Sequence, residues 1–236
     1  MKDQYFGDIN DYRKYGLLRA LTEASGLRLG VCWLLTEGDQ RPDGEFRRYL
    51  EQPERWRLRD PQLYDGLQRL RAANVERSVG HAGAWDLLPD ARYFGDVLGD
   101  PAAERAAYFR RAWETLADCP LLFFDPDNGL ETKSTRPGHR DSRKYLYWTE
   151  VEEAFRRGHS LVIYQHWPRV ERQKFTQDLV TTASSRLGRP SVDTFATAHV
   201  LFLLVAQPEH RNAFRKAHDL IQERWSGEIT PQAHRD

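Results

Sequence analysis

A short apolar run that ends in a group of carboxylates constrains this chain more than any other feature. Residues 121–124 are four apolar residues in succession, Leu-Leu-Phe-Phe, and Asp125–Gly129 (Asp-Pro-Asp-Asn-Gly) follow directly. Such a run predicts a strand that is buried on both faces and that ends at a turn. Strands of this kind are typical of parallel sheets covered by helices, so the run favours an α/β fold.

The turn after this run is the first candidate site. Ligands of open parallel sheets bind beyond the carboxyl ends of the strands. Asp125 stands at that position, and Asp127 and Glu131 follow within the same turn. We therefore predict a functional site that includes these carboxylates. The alternative is that the two Asp side chains only stabilise a turn, as Asp side chains often do.

Apolar strands alternate with amphipathic helices along the chain. In the first half, the pattern predicts a helix from Asn10 or Asp11 to Ser25, a strand over 29–35, two helices within 42–80, a helix over 101–116 and the strand 121–124. In the second half, it predicts a helix over 149–157 capped by Thr149, a strand over 160–165 and a helix over 170–185. Strands over 192–196 and 198–206, a helix over 208–225 and a frayed tail complete the chain. Residues 91–98 are compatible with either a strand or a loop. The last two strands lie so close in sequence that antiparallel pairing is expected.

These elements predict a Rossmann-like α/β fold, with a central sheet that is mostly parallel, an antiparallel C-terminal pair, and helices on both faces. A chain of 236 residues is expected to form a single domain, 1–236, in which the helical region 42–80 is an insertion.

Composition excludes some partners and settings. Lys plus Arg and Asp plus Glu both number 35, so no overall field attracts nucleic acid or membranes, and a local patch must hold any anionic partner. The longest apolar runs, such as 198–206, are far shorter than the roughly 20 residues of a membrane span. Cys32 and Cys119 lack CxxC or zinc-type spacing and are expected to be reduced core residues of a cytoplasmic protein.

A basic segment, residues 133–144, follows the acidic turn. Its five basic residues stand against a single acid, Asp141, and are Lys133, Arg136, Arg140, Arg143 and Lys144. Flexible basic segments beside a site can bind the phosphates of RNA or DNA and close over a substrate. The alternative is an ordinary solvent-exposed loop.

Two further strand ends carry polar residues. Glu37 and Asp39 follow the strand 29–35, and they would share a crevice with Asp125 if the two strands are parallel neighbours. His166 follows the strand 160–165 and is a candidate general base or ligand contact.

Four short motifs occur in a recognisable order along the chain. They stand at Gly7-Asp8 with Asp11 and Lys14-Tyr15, at Leu122–Asn128, at Tyr164–Pro168 and at Phe202–Pro208. Their order resembles that of the single-chain N6-adenine methyltransferases that act on large-subunit ribosomal RNA. Those enzymes open with Gly-Asn, Asp and Lys-His motifs, continue with a strand ending Asp-Pro-Pro-Tyr, and have later strands that end near a proline.

The resemblance implies a class I fold that uses S-adenosylmethionine to methylate nucleic acid. Asp125 would accept a hydrogen bond from the target amino group. The resemblance also places Lys14 and Tyr15 near the cofactor. Together with the strand ends and the basic segment described above, the methyltransferase interpretation has Asp125, Asp127 and His166 as catalytic residues, Asp8, Lys14, Tyr15 and Glu37 near the cofactor, and Asn128, Lys133, Arg136, Arg140, Arg143 and Lys144 on the substrate. This chain departs from the family pattern at Asp127 and Asn128, and it has only Gly38 where the family has a glycine-rich turn.

Two other function classes fit the same residues. A magnesium-dependent phosphoesterase or nuclease would bind its cation with Asp125, Asp127 and Glu131. The stretch also resembles the strand and Asp-x-Asp turn of haloacid-dehalogenase phosphatases, although it lacks the threonine that usually follows. A Rossmann-like protein that binds a nucleotide or a partner without catalysis is the third alternative. Carboxylates converging on one crevice repel each other, which favours a neutralising cation or proton.

Overall fold

The computed structural model describes residues 1–38 and 46–234. The helices are α1 (Ile9–Ser25), α2 (Pro53–Trp56), α3 (Pro61–Ala72), α4 (His81–Ala84), α5 (Ala102–Thr115), α6 (Trp148–Arg156), α7 (Arg172–Arg186) and α8 (Arg211–Arg224). The strands are β1 (Leu29–Cys32), β2 (Arg92–Phe94), β3 (Leu121–Phe124), β4 (Gly129–Leu130), β5 (Tyr145–Leu146), β6 (Ser160–His166), β7 (Ser191–Ala196), β8 (Val200–Ala206) and β9 (Thr230–His234). Short 3-10 turns cover Asp3–Tyr5, Arg48–Glu51, Ser142–Lys144 and Pro208–His210.

A seven-stranded sheet organises the described residues, with the strand order β2-β1-β3-β6-β8-β7-β9. The strands β2, β1, β3 and β6 are parallel, and their register places Cys32, Phe124 and Ile163 side by side. The chain therefore leaves three central strands at the same edge of the sheet. This confirms the predicted α/β class and its mostly parallel sheet.

The C-terminal half of the sheet is antiparallel. Strand β8 lies between β6 and β7 and pairs antiparallel with both, so β6 and β7 point the same way. The predicted antiparallel pair, β7 and β8, is thereby confirmed. Strand β9 extends the edge antiparallel to β7, so the prediction of a frayed tail is wrong for residues 230–234. The tail gains its order from the free edge of β7, which its local sequence does not reveal.

Two apolar cores cover the two faces of the sheet. In β3, Leu121 and Phe123 belong to the core beneath α1, α3 and α8, whereas Leu122 and Phe124 belong to the core beneath α5, α6 and α7. All four side chains are fully buried. The strand therefore contributes alternate residues to both layers, which explains its uninterrupted apolar run.

Helix α1 lies close to α8 because Gly16 has no side chain. A β-carbon at this position would lie 1.9 Å from the Trp225 ring, which follows α8. Gly129 has a different role, with a φ of 108° and the Gln165 amide where a β-carbon would lie. Gln165 Oε1 accepts a hydrogen bond from the Leu130 amide, which ties the acidic turn to β6.

Several element boundaries differ from the predicted ones. Helix α1 begins one residue before the predicted caps, since Asp8 is the N-cap and accepts hydrogen bonds from the amides of Asn10 and Asp11. Helix α6 is capped by Tyr147 and Glu150 instead of Thr149. At α1 an aspartate nearer the N-terminus is in the better capping position, whereas at α6 Glu150 supplies the cap by accepting a hydrogen bond from the Tyr147 amide at 2.9 Å.

The structure describes part of the helical insertion predicted between β1 and β2, and that part is helical. Residues 46–80 contain α2, α3 and a 3-10 turn, whereas residues 42–45 of the predicted insertion and Asp39 lie outside the described residues. The undecided stretch 91–98 contains the short edge strand β2. None of the helices in the described ranges is long and apolar enough to cross a lipid bilayer.

Candidate functional site

A cavity of about 420 Å³ lies where β3 and β6 end, beside the first turns of α1. This is the edge at which ligands of open α/β sheets bind. Its volume falls within the roughly 300–1,000 Å³ of small-molecule sites. The lining residues are Met1, Lys2, Tyr5, Asp8, Asn10, Asp11, Lys14, Phe46, Asp125, Pro126, Asp127, Asn128, Lys144, Tyr164 and His166.

We call the part of the cavity lined by Met1, Asp11, Lys14, Asp125 and Asp127 the inner wall, and Lys14 is its charged centre. Its Nζ lies 2.6 Å from Asp11 Oδ1 and 2.6 Å from Asp125 Oδ2, and all three side chains are buried. Burial lowers the pKa of a lysine, but the two carboxylates outweigh it, so the pKa of Lys14 is raised above its usual value. Lys14 therefore supplies the neutralising charge that converging carboxylates require, and this explains a lysine in the first turns of a helix.

Aromatic rings enclose the Lys14 ammonium group. Nζ lies 5.4 Å from the ring centroids of Tyr15 and Trp33 and 5.8 Å from that of Tyr164. A cation over aromatic faces is stabilised, more strongly where water is excluded. Tyr15 is thus behind Lys14 in the core and is not among the residues that line the cavity.

Asp127 is held by a second cation of the cavity wall, the amino group of Met1. This nitrogen lies 2.8 Å from Asp127 Oδ1 and donates to the carbonyl oxygens of Leu34, at 3.2 Å, and Asp125, at 2.9 Å. Thr36 Oγ1 donates to Asp127 Oδ2 at 2.7 Å. Burial alone would raise the pKa of Asp127, but the Met1 ammonium and the Thr36 hydroxyl outweigh it and the pKa is lowered.

Asp8 and Asp11 are the acids of this site whose pKa values are raised, in both cases first of all by burial. The Asp8 side chain is 5% exposed, and burial together with the charge of Asp11 raises its pKa to about 7. The hydrogen bonds from the amides of Asn10 and Asp11 oppose the rise. Asp8 can therefore give up or accept a proton near pH 7 while it caps α1.

His166 stands at the mouth of the cavity. Its Nε2 lies 3.3 Å from the Tyr164 hydroxyl, and the two rings are perpendicular with centroids 5.1 Å apart. His166 keeps contact with solvent, yet the surrounding protein lowers its pKa by desolvation, against the opposing charges of Asp125 and Asp127. The ring is accordingly neutral at neutral pH and can accept a proton.

The basic segment 133–144 contributes one side chain to the cavity, that of Lys144. The Lys144 carbonyl accepts from the Asn128 amide at 2.9 Å, which joins the segment to the acidic turn. Arg143 lies 3.5 Å from Glu37. Lys133, Arg136 and Arg140 are exposed and outside the lining.

A buried arginine anchors the end of this segment. Arg105 in α5 forms an ion pair with both carboxyl oxygens of Glu150 and donates to the carbonyl oxygens of Ser142 and Tyr145. Asp100 accepts hydrogen bonds from the Arg143 amide at 2.8 Å and from the Ser142 hydroxyl. The end of the segment is therefore held in place, in contrast to the predicted mobile loop.

The structure brings together part of the predicted site. Seven predicted residues line the cavity, namely Asp8, Lys14, Asp125, Asp127, Asn128, Lys144 and His166. Glu37 lies outside the lining with a side chain that is 75% exposed. Glu131 accepts from the Trp148 amide at 2.8 Å at the start of α6 and is also outside the lining.

Sequence reasoning missed several lining residues: Met1, Lys2, Tyr5, Asn10, Phe46 and Tyr164. It placed Asp11 in a motif without a role, although Asp11 and Lys14 are three residues apart on a helix and such pairs meet on one face. That spacing is the signal that would have identified Asp11. Phe46 has no comparable signal, because it approaches the site from the region between β1 and β2.

The chain matches no protein-family model and no curated protein. Within residues 1–38 and 46–234, no group of three or more His, Cys, Asp or Glu side chains is arranged to hold a metal ion.

Proposed function

We propose that this protein is an S-adenosylmethionine-dependent methyltransferase that acts on an exocyclic amino group of a nucleobase in RNA or DNA. The observation that carries the proposal is the position of Asp125. Its carboxylate stands at the end of a central strand, in the wall of a cavity of about 420 Å³, and a buried lysine holds Oδ2. The sheet, with β8 inserted antiparallel between two parallel strands, supports the same class.

The residues at the ends of β1 and β3 fit the methionine half of the cofactor. The carbonyl oxygens of Leu34 and Asp125 and the carboxylate of Asp127 hold an α-ammonium group, that of Met1. The Met1 sulfur lies 3.9 Å from Lys14 Nζ. These acceptors are the groups that a methionine ammonium requires, and Met1 must leave them when the cofactor binds.

S-adenosylmethionine, when bound, supplies a methyl group that is already activated for transfer, so the protein contributes mainly position. We assign the remaining carboxyl oxygen of Asp125 to accept an N–H from the amino group. Asn128 lines the cavity and can bond to the edge of a base. His166, kept neutral by its lowered pKa, accepts the proton that the amino group loses. We call the side of the cavity that Lys144 lines the outer wall, and there the Lys144 ammonium group binds a phosphate of the nucleic acid.

The magnesium-dependent hydrolase remains the alternative. Lys14 and the Met1 amine supply the positive charge that this alternative assigns to a metal ion, and Glu131 is engaged at the start of α6. These contacts favour the methyltransferase. A reducing, cytoplasmic setting is part of the proposal, and both cysteines are free and buried.

The first experiment is calorimetric titration with S-adenosylhomocysteine, without and with Mg²⁺, followed by transfer of a labelled methyl group to single-stranded RNA and DNA. We expect micromolar uptake without metal. Asp127→Asn should weaken it about tenfold, because it removes the charged acceptor of the ammonium group. Asp125→Asn should abolish transfer, whereas Glu37→Gln, an acid-to-amide change outside the cavity, should leave both measurements unchanged.

Circular dichroism of each variant separates loss of function from loss of fold. Absence of S-adenosylhomocysteine binding by the wild-type protein would overturn the proposal. So would a Mg²⁺ signal that is lost in both Asp variants and accompanied by cleavage of the nucleic acid.

A further inference from the structure

Phe46 is an exposed aromatic residue to which the proposed reaction assigns no part. Its side chain is 71% exposed and lines the cavity. Large apolar side chains of a soluble protein are usually buried, and one that stands open at the rim of a cavity is a candidate contact for a ligand. Leu58 is 80% exposed as well but lies outside the lining of this cavity, so exposure alone does not distinguish Phe46.

The backbone of Phe46 is held against the site. Its carbonyl oxygen accepts a hydrogen bond from the Ile9 amide at 3.0 Å, at the first residue of α1. Asp8, the cap of the same helix, also lines the cavity. The backbone from which the Phe46 ring projects is therefore coupled to the helix that presents Lys14, so a ligand has to order only the two side-chain torsions of the ring.

The other walls divide the cavity into polar and flat apolar parts. The turn at Asp125–Asn128 contributes carboxylates and an amide, whereas Tyr5, Phe46 and Tyr164 contribute rings. A ligand that satisfies both parts is planar and aromatic, with hydrogen-bonding groups on its edge. Nucleobases have this chemistry, and unpaired bases stack on aromatic side chains.

We propose that Phe46 is the stacking residue for the acceptor base, so that the protein selects an unpaired base rather than one inside a duplex. The inference rests on the proposed function, because it assigns the cavity to the acceptor. Phe46 covers one face of the base at the mouth, while the acidic turn contacts its edge. A base within a duplex already stacks on both faces, so it can present one to Phe46 only after it is extruded from the stack, which costs a few kcal/mol.

The test uses the full-length protein and a labelled single-stranded oligoadenylate, followed by fluorescence anisotropy. Stacking on one aromatic residue accounts for roughly a 5- to 150-fold difference in affinity per base. We expect Phe46→Ala to weaken binding about tenfold or more and Phe46→Tyr to retain it. Phe46→Leu should weaken binding to the same extent as Phe46→Ala. Leu58→Ala is the matched control and should bind as the wild type does.

Three results would overturn the inference: equal binding by Phe46→Ala, wild-type affinity in Phe46→Leu, or equal affinity of the wild type for the strand and its duplex with oligouridylate. S-adenosylhomocysteine titration of the same variants distinguishes the two proposals. Failure of the proposed function appears as no cofactor binding by the wild type. Failure of the Phe46 inference appears as cofactor binding with nucleic-acid binding that does not depend on the ring.

Discussion

The inner and outer walls of the cavity hold their charged residues in opposite ways. On the inner wall, Lys14 is 2% exposed and bonds to Asp11 and Asp125. On the outer wall, Lys144 is 33% exposed and pairs with Asp141, three residues away in the basic segment. Both lysines line one cavity, yet only the first depends on residues distant in sequence.

The difference separates two kinds of electrostatic contact. A buried ion pair that loses one partner leaves a charge without solvation, so removal of a charged residue such as Lys14 from the inner wall should destabilise the protein strongly. Exposed pairs are screened by water and contribute little to stability. The outer wall can therefore change its charges freely, and it is the part suited to a variable contact such as a phosphate.

Removal of the Lys14 charge should have the largest effect. Lys14→Met leaves Asp11 and Asp125 buried and unpaired, and we expect a loss of about 3–5 kcal/mol in the free energy of unfolding. Lys174→Met, at an exposed pair with Asp178, should change it by less than about 0.5 kcal/mol. Urea denaturation followed by circular dichroism measures both. Similar small losses in the two variants would show that the inner wall is not a required ion network.

Substitution of Arg105 tests whether the end of the basic segment, at the outer wall, depends on a buried ion pair. Arg105→Met removes the ion pair with Glu150 and two bonds to carbonyl oxygens, and we expect a loss of about 2–3 kcal/mol. The effect is smaller than for Lys14 because Glu150, at 14% exposed, can move toward water.

The control for this prediction lies on the same helix. Arg111 pairs with Asp96 at the surface, and Arg111→Met should cost less than about 1 kcal/mol. The same urea titration applies. If Arg111 matters as much as Arg105, the end of the segment is not held by its buried arginine.

The raised pKa of Asp8 predicts a pH dependence of stability. Between the usual pKa of an aspartate, near 4, and the folded value of about 7, the native state binds more protons than the unfolded state. Stability from this group is therefore complete at low pH and is lost as the pH rises toward 7. Asp8→Asn keeps a capping side chain but cannot ionise, so its stability should fall less over this interval.

The wild type and Asp8→Asn share every other titrating group, so the difference between their stabilities reports Asp8 together with its electrostatic coupling to Asp11. We expect the wild type to lose about 2–3 kcal/mol more than Asp8→Asn between pH 4.5 and 7. Urea denaturation at several pH values measures it. Parallel curves for the two proteins would contradict a shifted pKa for Asp8.

The exposed part of the basic segment should show the smallest effect. Arg136 and Arg140 are exposed, and changing both to Gln should leave the unfolding curve unchanged. If they bind phosphates, the slope of log affinity against log salt for a single strand should fall by about 0.7 for each phosphate that is no longer neutralised. An unchanged slope would restrict nucleic-acid binding to the cavity and to Lys144.

Much of the fold follows from local pattern. The uninterrupted apolar run 121–124 identified a central strand buried on both faces, and the short gap between β7 and β8 identified their pairing. Strand β9 could not be predicted in this way, because polar residues such as those of 230–234 form a strand only when an edge is free to receive them.

The sequence predicted those site residues that stand directly at the end of a strand. Asp125, Asp127 and His166 follow or end buried strands, and parallel pairing brought them to one edge. Glu37 follows a neighbouring strand in the same way but points to solvent beside Arg143. Position after a strand therefore predicts the edge of the sheet on which a residue lies, whereas its side-chain direction depends on the turn.

Local sequence was enough to specify the alternation of strands and helices and the carboxylates at the end of the central strand, because burial periodicity and turn composition are local properties. Which charges meet was settled only by tertiary packing. Lys14 and Asp125 are 111 residues apart and Met1 and Asp125 are 124 apart, and the strand order and the packing of α1 bring them together. A charge pattern in sequence does not specify such partners, since the desolvation that makes them necessary arises only when the core has closed.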